Sequence, residues 1–99
     1  MYDKIIRKMR KAARAGRVVY PPYAVHAMLD DDFSREDVVN AILTGEIIED
    51  QFDLKYNEPK FVIYGDALDG RDIGVVAKLD RYGNVGIITV YWLKVTDYD

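Results

Sequence analysis

The chain has 99 residues, a length that favours one domain, and its 49% hydrophobic and 31% charged residues are typical of a soluble globular protein. It has no cysteine, which excludes disulfides, thiolate catalysis and cysteine metal sites, and no apolar run approaches the roughly 18 residues of a membrane span. The net charge of −3 is unevenly distributed, because residues 1–17 hold seven Lys or Arg against one Asp. We therefore expect a cytoplasmic protein without a metal or other cofactor, whose basic N-terminus attracts polyanions.

A basic amphipathic helix over residues 1–17 is the first predicted element. Its apolar side is made largely of small residues at helical spacing, and the cations occupy the other side. We predict that it forms an N-terminal extension, followed by a single α+β domain over residues 18–99. The predicted contacts to nucleic acid or to an acidic protein partner are Lys4, Arg7, Lys8, Arg10, Lys11, Arg14 and Arg17. The alternative is a solvated face that balances the acidic remainder of the chain.

Two further helices are predicted in the N-terminal half. A Pro-Pro pair at residues 21–22 closes a linker, and proline suits the first turn of a helix, so a short helix is predicted over residues 22–30. Ser34 followed by Asp37 resembles a capping box, and apolar residues follow at helical spacing. This pattern predicts a third helix over residues 35–44.

After Gly45 the apolar pattern changes from helical spacing to alternation, which predicts strands. The four predicted strands cover residues 46–54, 60–67, 72–79 and 84–95. Because the segments between them are short, neighbouring strands are expected to be antiparallel. The predicted fold class is α+β, with two or three N-terminal helices followed by a four-stranded antiparallel meander sheet and the helices on one face.

Several side chains with chemical potential have a structural explanation that we favour. His26 is the only histidine, and without a cysteine or an orienting acid it is expected to be a solvated surface residue. The aspartates at 30–32 lack the alternate spacing of a calcium loop, which favours a solvated turn. Tyr64, Tyr91 and Trp92 lie in predicted strands, where a place in the core is favoured over base stacking.

Four stretches of the chain carry a family resemblance. They are YAVHAMLDDDFS (23–34), REDVVNAILTGEIIED (35–50), GRDIGVV (70–76) and IITVYW (87–92). In these stretches the chain resembles bacterial family 4258 of domains of unknown function, which is grouped with the RelE and ParE toxin-like superfamily. GEIIED and IITVY at this separation are the most specific part. The resemblance implies a RelE-like fold, in agreement with the predicted order of helices and strands.

The chain departs from the family pattern at four polar positions. Tyr23 and Gly74 stand where the family carries histidines, and Ala27 and Asp31 stand where it carries arginines. The family's His/Arg motif is therefore largely replaced. These changes remove cations from the face on which RNA would lie, and Asp31 adds a repulsive charge.

The resemblance implies one enzymatic hypothesis, a toxin-type endoribonuclease that needs no metal. RelE-type ribonucleases cleave RNA with cations on the phosphate and a polar acid/base pair that assists attack by the 2′-hydroxyl. The corresponding candidates in this chain are Arg71 and Lys78 as phosphate contacts, and Tyr91 or Tyr64 as the acid/base. Such a toxin would act on RNA or the ribosome and would pair with an antitoxin.

Three functions thus stay open, and a binding module is favoured over an enzyme. The leading hypothesis is a RelE-like domain that binds nucleic acid or an acidic protein through its basic helix. The first alternative is the endoribonuclease of a toxin–antitoxin pair. The second is a structural or interaction protein that forms a homo-oligomer, for example a homodimer in which the basic helix of one chain lies on the acidic surface of the other. None of the three involves a membrane.

Overall fold

The computed structural model describes residues 1–93, in which three helices and one β-sheet pack together. The elements are α1 (Asp3–Arg14), β1 (Val18–Val19), α2 (Pro22–Asp30), α3 (Arg35–Thr44), β2 (Glu46–Asp53), β3 (Glu58–Asp66), β4 (Asp72–Leu79) and β5 (Val85–Trp92). The helices predicted over residues 22–30 and 35–44 are confirmed, and the four predicted strands are present. Residues 94 and 95, predicted to continue the last strand, lie outside the described residues. Within residues 1–93, no helix is long and apolar enough to cross a membrane.

The sheet has five strands in the order β1-β5-β4-β3-β2, and it is mixed rather than purely antiparallel. The prediction of four strands was wrong because it missed β1. Val18 and Val19 pair in parallel with the start of β5, and the N–H of Val85 donates to the carbonyl of Arg17 at 2.9 Å. Two residues are too few to show alternation, and their partner lies near the other end of the chain. The remaining neighbours are antiparallel, as predicted.

One hydrophobic core lies between the helices and one face of the sheet. Alternate residues of β3 and β4 point into it, and Ile63, Ile73 and Val75 are fully buried there. Met28 of α2 and Ile42 of α3 pack against them from the helical layer. This is the α+β arrangement that the sequence predicted.

Helix α1 packs into the same core. Its buried residues are Ile6, Met9, Ala12 and Ala13. Arg10 reinforces this packing, because its Nε donates to the carbonyl of Ile42 at 3.2 Å and its Nη2 donates to the carbonyl of Gly45 at 2.7 Å. The last carbonyls of a helix lack partners within the helix, so this cation satisfies two acceptors at the end of α3. The packing of α1 therefore fixes the backbone from which its other, exposed cations project.

Candidate functional site

A groove lies between the C-terminal half of α1 and the turn that joins β4 to β5. Its volume is about 680 Å³. Its cations are Lys8, Lys11, Arg17 and Arg81. Ala12 and Leu79 give it apolar surface, and the turn adds Asp80 and Tyr82. We call this feature the basic groove.

The α1 wall of the basic groove depends on how the helix ends. Gly16 has a left-handed φ of 74°, and the N–H groups of Gly16 and Arg17 donate to the carbonyls of Ala13 at 3.2 Å and Ala12 at 2.8 Å. This is the Schellman pattern, which favours glycine because a Cβ would be strained there. The chain leaves the helix axis at this point, so Arg17 joins the lining of the groove instead of continuing the helix.

The opposite wall is a tight turn built around Asp80. Its Oδ1 accepts the N–H groups of Tyr82 at 2.8 Å and Asn84 at 2.9 Å, and its Oδ2 accepts the side-chain amide of Asn84 at 3.0 Å. Gly83 supplies the left-handed φ, 83°, that the turn requires. The backbone and side-chain N–H groups of Asn84, more than that of Tyr82, hold the pKa of Asp80 below its ordinary value. The carboxylate in the lining is therefore engaged with its own turn.

Two hydrogen bonds join the turn to the end of α1. Arg17 donates from Nη1 to the carbonyl of Tyr82 at 3.4 Å and accepts at its own carbonyl from Val85. The guanidinium of Arg81 lies 5.8 Å from the centroid of the Tyr82 ring. Among residues 1–93, no cation of the groove forms an ion pair with a carboxylate. The groove thus gathers positive charge from segments that are 65 residues apart in the chain.

The other end of β4 and β5 carries the opposite charge. The carboxylates around it are Asp30, Asp31, Asp32, Asp66, Asp69 and Asp72. A strand of eight residues separates this end from the groove, which corresponds to about 25 Å. A polyanion is repelled at one end of the sheet and attracted at the other.

The structure divides the cations that the sequence analysis predicted as contacts. Those that line the basic groove are Lys8, Lys11 and Arg17, whereas Lys4, Arg7 and Arg14 are exposed on α1 outside its lining. Arg10 is turned toward the end of α3. Lys78 lies on β4 and donates to Glu58 at 2.5 Å, and this hydrogen bond is the main cause that raises the pKa of the lysine. Lys78 is therefore separate from the groove.

A comparison with protein families identifies one that covers most of this chain. Residues 23–92 match the family described as a domain of unknown function, DUF4258. The chain belongs to the DUF4258 family. No curated protein and no solved structure matches it. The relation to the RelE and ParE toxins stays a prediction.

The family match divides the basic groove into two parts. Lys8, Lys11 and Arg17 precede the matched residues, whereas Arg81 and Tyr82 lie within them. The groove is therefore a composite of α1 and the β4–β5 turn of the DUF4258 domain. Neither part forms it alone.

Arg71, one of the predicted phosphate contacts, is engaged within the DUF4258 domain. Its Nε donates to Asp69 at 2.7 Å, its Nη1 to the carbonyl of Asp31 at 3.2 Å and its Nη2 to the carbonyl of Asp32 at 2.9 Å. The guanidinium also lies 4.5 Å from the centroid of the Phe33 ring. The hydrogen bond to Asp69 is the main cause that raises the pKa of Arg71. All three guanidinium nitrogens thus have acceptors inside the protein.

Asp37 connects this arginine to the start of α3. Its buried carboxylate accepts the N–H groups of Ser34 at 2.8 Å and Leu68 at 2.9 Å and lies 3.9 Å from Nη2 of Arg71. Ser34 accepts the N–H of Asp37 at 3.1 Å, which confirms the predicted capping box. Burial raises the pKa of Asp37, but the donors from Ser34 and Leu68, together with Arg71, outweigh it and leave the pKa below its ordinary value. We call these residues, with Asp31, Asp32, Phe33 and Asp69, the Arg71 cluster.

Tyr64 and Tyr91, the predicted acid/base candidates, flank Gly74 on neighbouring strands. The ring of Tyr91 lies over Gly74, since a Cβ there would come within 2.6 Å of the ring. Burial, and then the neighbouring Tyr64, raise the pKa of Tyr91 above its ordinary value. The core placement expected for Tyr64, Tyr91 and Trp92 was wrong, because none of them belongs to the core cluster of the described residues.

Arg81 and Tyr82 are the groove residues that sequence reasoning missed. In the sequence they appear only as part of a separator between two predicted strands. The available signal was a cation and an aromatic residue at the tip of a tight turn, where both are expected to be exposed. Their closeness to Arg17 depends on the parallel pairing of β1 with β5, which two residues do not reveal.

The other candidates have ordinary surroundings. His26 is exposed, as predicted. The aspartates at 30–32 close α2 and form the following turn, where Asp32 has a φ of 58°. In the part of the chain that the structure describes, no three acidic or histidine side chains are grouped so that they could hold a metal ion.

Proposed function

We propose that this DUF4258 domain binds nucleic acid, with the phosphates of the strand in the basic groove. The supporting observation is that Arg81 lies around one groove with Lys8, Lys11 and Arg17, which come from a separate segment. Within residues 1–93 these cations have no ion-pair partner, so they repel one another, and an anionic ligand relieves the repulsion. A helix that only balanced an acidic body would not need a second cationic wall.

Phosphate contacts supply much of the affinity of nucleic-acid-binding proteins and make it depend on salt. The four groove cations would make four phosphate contacts. For a single strand, this number predicts a slope of about −3 when the logarithm of the binding constant is plotted against the logarithm of salt concentration. The aspartates at the other end of β4 and β5 repel the phosphates of a nucleic acid strand. We therefore expect the strand to occupy the groove end of the molecule.

Binding of a fluorescent oligonucleotide to the full chain at increasing salt tests this proposal. The double variant Lys8→Gln, Lys11→Gln should bind more weakly and reduce the salt slope by about 1.4, because it removes two phosphate contacts. The matched control is Lys55→Gln, Lys60→Gln, which removes the same charge from the β2–β3 hairpin outside the groove lining. This control should retain most of the slope and affinity.

Two results would contradict the proposal. An equal loss of affinity in both double variants would mean that overall charge, and not the groove, attracts the strand. Tighter binding of poly-glutamate than of the oligonucleotide would indicate an acidic protein as the partner instead.

A further inference from the structure

We infer that the basic groove selects single-stranded over double-stranded nucleic acid, because Tyr82 stacks on an unpaired base while the cations hold the adjoining phosphates. This ligand class rests on the proposed function and concerns the same groove. The inference depends on observations separate from those behind the proposed function. These are the exposure of the Tyr82 ring, the hydrogen bonds that hold its turn and the position of Arg81 beside the ring.

Among the described residues, the Tyr82 side chain has no place in the hydrophobic core that would explain its aromatic character. It is 72% exposed at the tip of the β4–β5 turn and lies outside the core cluster. It also lines the groove with the cations. A large exposed ring in a binding groove supplies apolar contact area when a ligand covers it.

The turn that carries Tyr82 is held in one conformation. Asp80 accepts the N–H groups of Tyr82 and Asn84, and the N–H of Gly83 donates to the carbonyl of Asp80 at 3.2 Å. Arg17 then connects the Tyr82 carbonyl to the end of α1. A ring on a fixed turn loses little conformational entropy on binding, which favours its use as a stacking surface.

A cation lies over one face of the ring, so a base would stack on the other face. The Arg81 guanidinium lies 5.8 Å from the Tyr82 ring centroid. In a nucleic acid strand, each base is joined to the phosphates through one sugar, so a base and a phosphate are presented together. Tyr82 and Arg81 can therefore engage the base and the phosphate of one short segment at once.

Stacking of this kind requires an unpaired base. In a duplex the bases are stacked on one another and paired in the interior, and a side chain at the protein surface reaches only the backbone and the groove edges. A single strand offers the face of each base, and stacking on an aromatic ring tolerates any base sequence. The groove should therefore discriminate by strandedness and only weakly by sequence.

The test compares three probes of the same length, about ten nucleotides, by fluorescence anisotropy with the full chain. They are a single-stranded DNA, its abasic counterpart with the same phosphates but no bases, and the duplex. The base-bearing single strand should bind about tenfold more tightly than the abasic strand, since stacking on one ring is worth roughly that factor or more.

Substitutions at Tyr82 locate the effect. Tyr82→Ala should lower affinity for the base-bearing strand about tenfold and leave the abasic strand unchanged, whereas Tyr82→Phe should retain binding because it keeps the ring. The matched control is Tyr56→Ala, because Tyr56 is also exposed, at 60%, with lysines beside its ring, but lies outside the groove lining. Urea unfolding of each variant verifies that the fold is intact.

The failures of the two proposals are distinguishable. Equal binding of the abasic and base-bearing strands, or unchanged binding by Tyr82→Ala, would overturn the stacking inference and leave phosphate binding in place. Duplex binding as tight as that of the single strand would overturn the selectivity. If no probe binds even at low salt, the proposed function itself is wrong.

Discussion

The Arg71 cluster and the basic groove place arginines in opposite circumstances at the two ends of β4. In the Arg71 cluster, every guanidinium nitrogen of Arg71 has a protein acceptor at 3.2 Å or less. In the groove, Arg17 makes one long contact of 3.4 Å, and Arg81 lies near an aromatic ring. The availability of the N–H donors, more than the presence of a cation, separates a structural arginine from one that can bind a ligand.

The two regions are also expected to differ in their effect on folding. A buried carboxylate that accepts several N–H groups stabilises the folded chain, because breaking the set leaves buried groups without partners. The groove cations, which have no ion-pair partner among residues 1–93, repel one another until an anion binds, so they contribute less to stability. Changes in the Arg71 cluster should therefore lower stability, and changes in the groove should lower affinity.

The largest effect is expected for Asp37→Ala. This change removes the carboxylate that accepts from Ser34 and Leu68, and it should lower the free energy of unfolding by about 2–3 kcal/mol. Urea denaturation followed by circular dichroism measures the loss. Binding of the oligonucleotide under conditions where the variant is folded should not change.

Ser34→Ala is the graded comparison for that variant. It removes only the side-chain oxygen of the capping box, so a smaller loss of about 1 kcal/mol is expected. Equal stability of Asp37→Ala and the natural protein would mean that the Arg71 cluster does not support the fold. If the folded Asp37→Ala protein binds nucleic acid poorly, the Arg71 cluster affects binding in the basic groove, and the two regions are not independent.

The sequence predicted the elements whose signals are local. Alternation revealed β2 to β5, and the pair Ser34 and Asp37 revealed the start of α3. The end of α3 shows where local reasoning stops. A glycine at the end of a helix usually has left-handed geometry, yet the φ of Gly45 is −91°. A Cβ there would lie 2.4 Å from the Tyr64 carbonyl oxygen, so the close approach of β3 is what requires glycine.

In the candidate site, too, the sequence predicted only the residues that have a local signal. Lys8 and Lys11 were visible as cations at helical spacing on one predicted helix. Arg81 and Tyr82 became part of the site only through contacts between distant segments, namely the bonds that join Arg17 to the β4–β5 turn. Conversely, the engagement of Arg71 depends on carbonyls of the α2–α3 turn, which no local pattern around Arg71 shows.

The charge of Asp37 is expected to make the stability of the fold depend on pH. Because its pKa is lowered in the folded protein, its carboxylate contributes stability that is present above the unfolded value of about 3.9 and is lost as pH falls through the lower folded value. Urea midpoints measured from neutral pH to about pH 3 should fall less steeply for Asp37→Asn than for the natural protein. Asp80, whose pKa is also lowered, is present in both chains, so the difference reports Asp37 together with its effect on the neighbouring Asp69. Parallel curves would contradict this assignment.

The smallest effects are expected when one substitution is made at each end of β4. Arg81→Gln removes a single exposed contact and should weaken oligonucleotide binding about two- to fivefold at low salt, with an unchanged urea midpoint. Arg71→Gln removes the same charge but also the donors to Asp31, Asp32 and Asp69, so its urea midpoint should fall while its affinity stays near that of the natural protein. Because the change in charge is identical, a difference in affinity measures position alone. Equal loss of affinity in both variants would show that the strand responds to the net charge of the molecule and not to the basic groove.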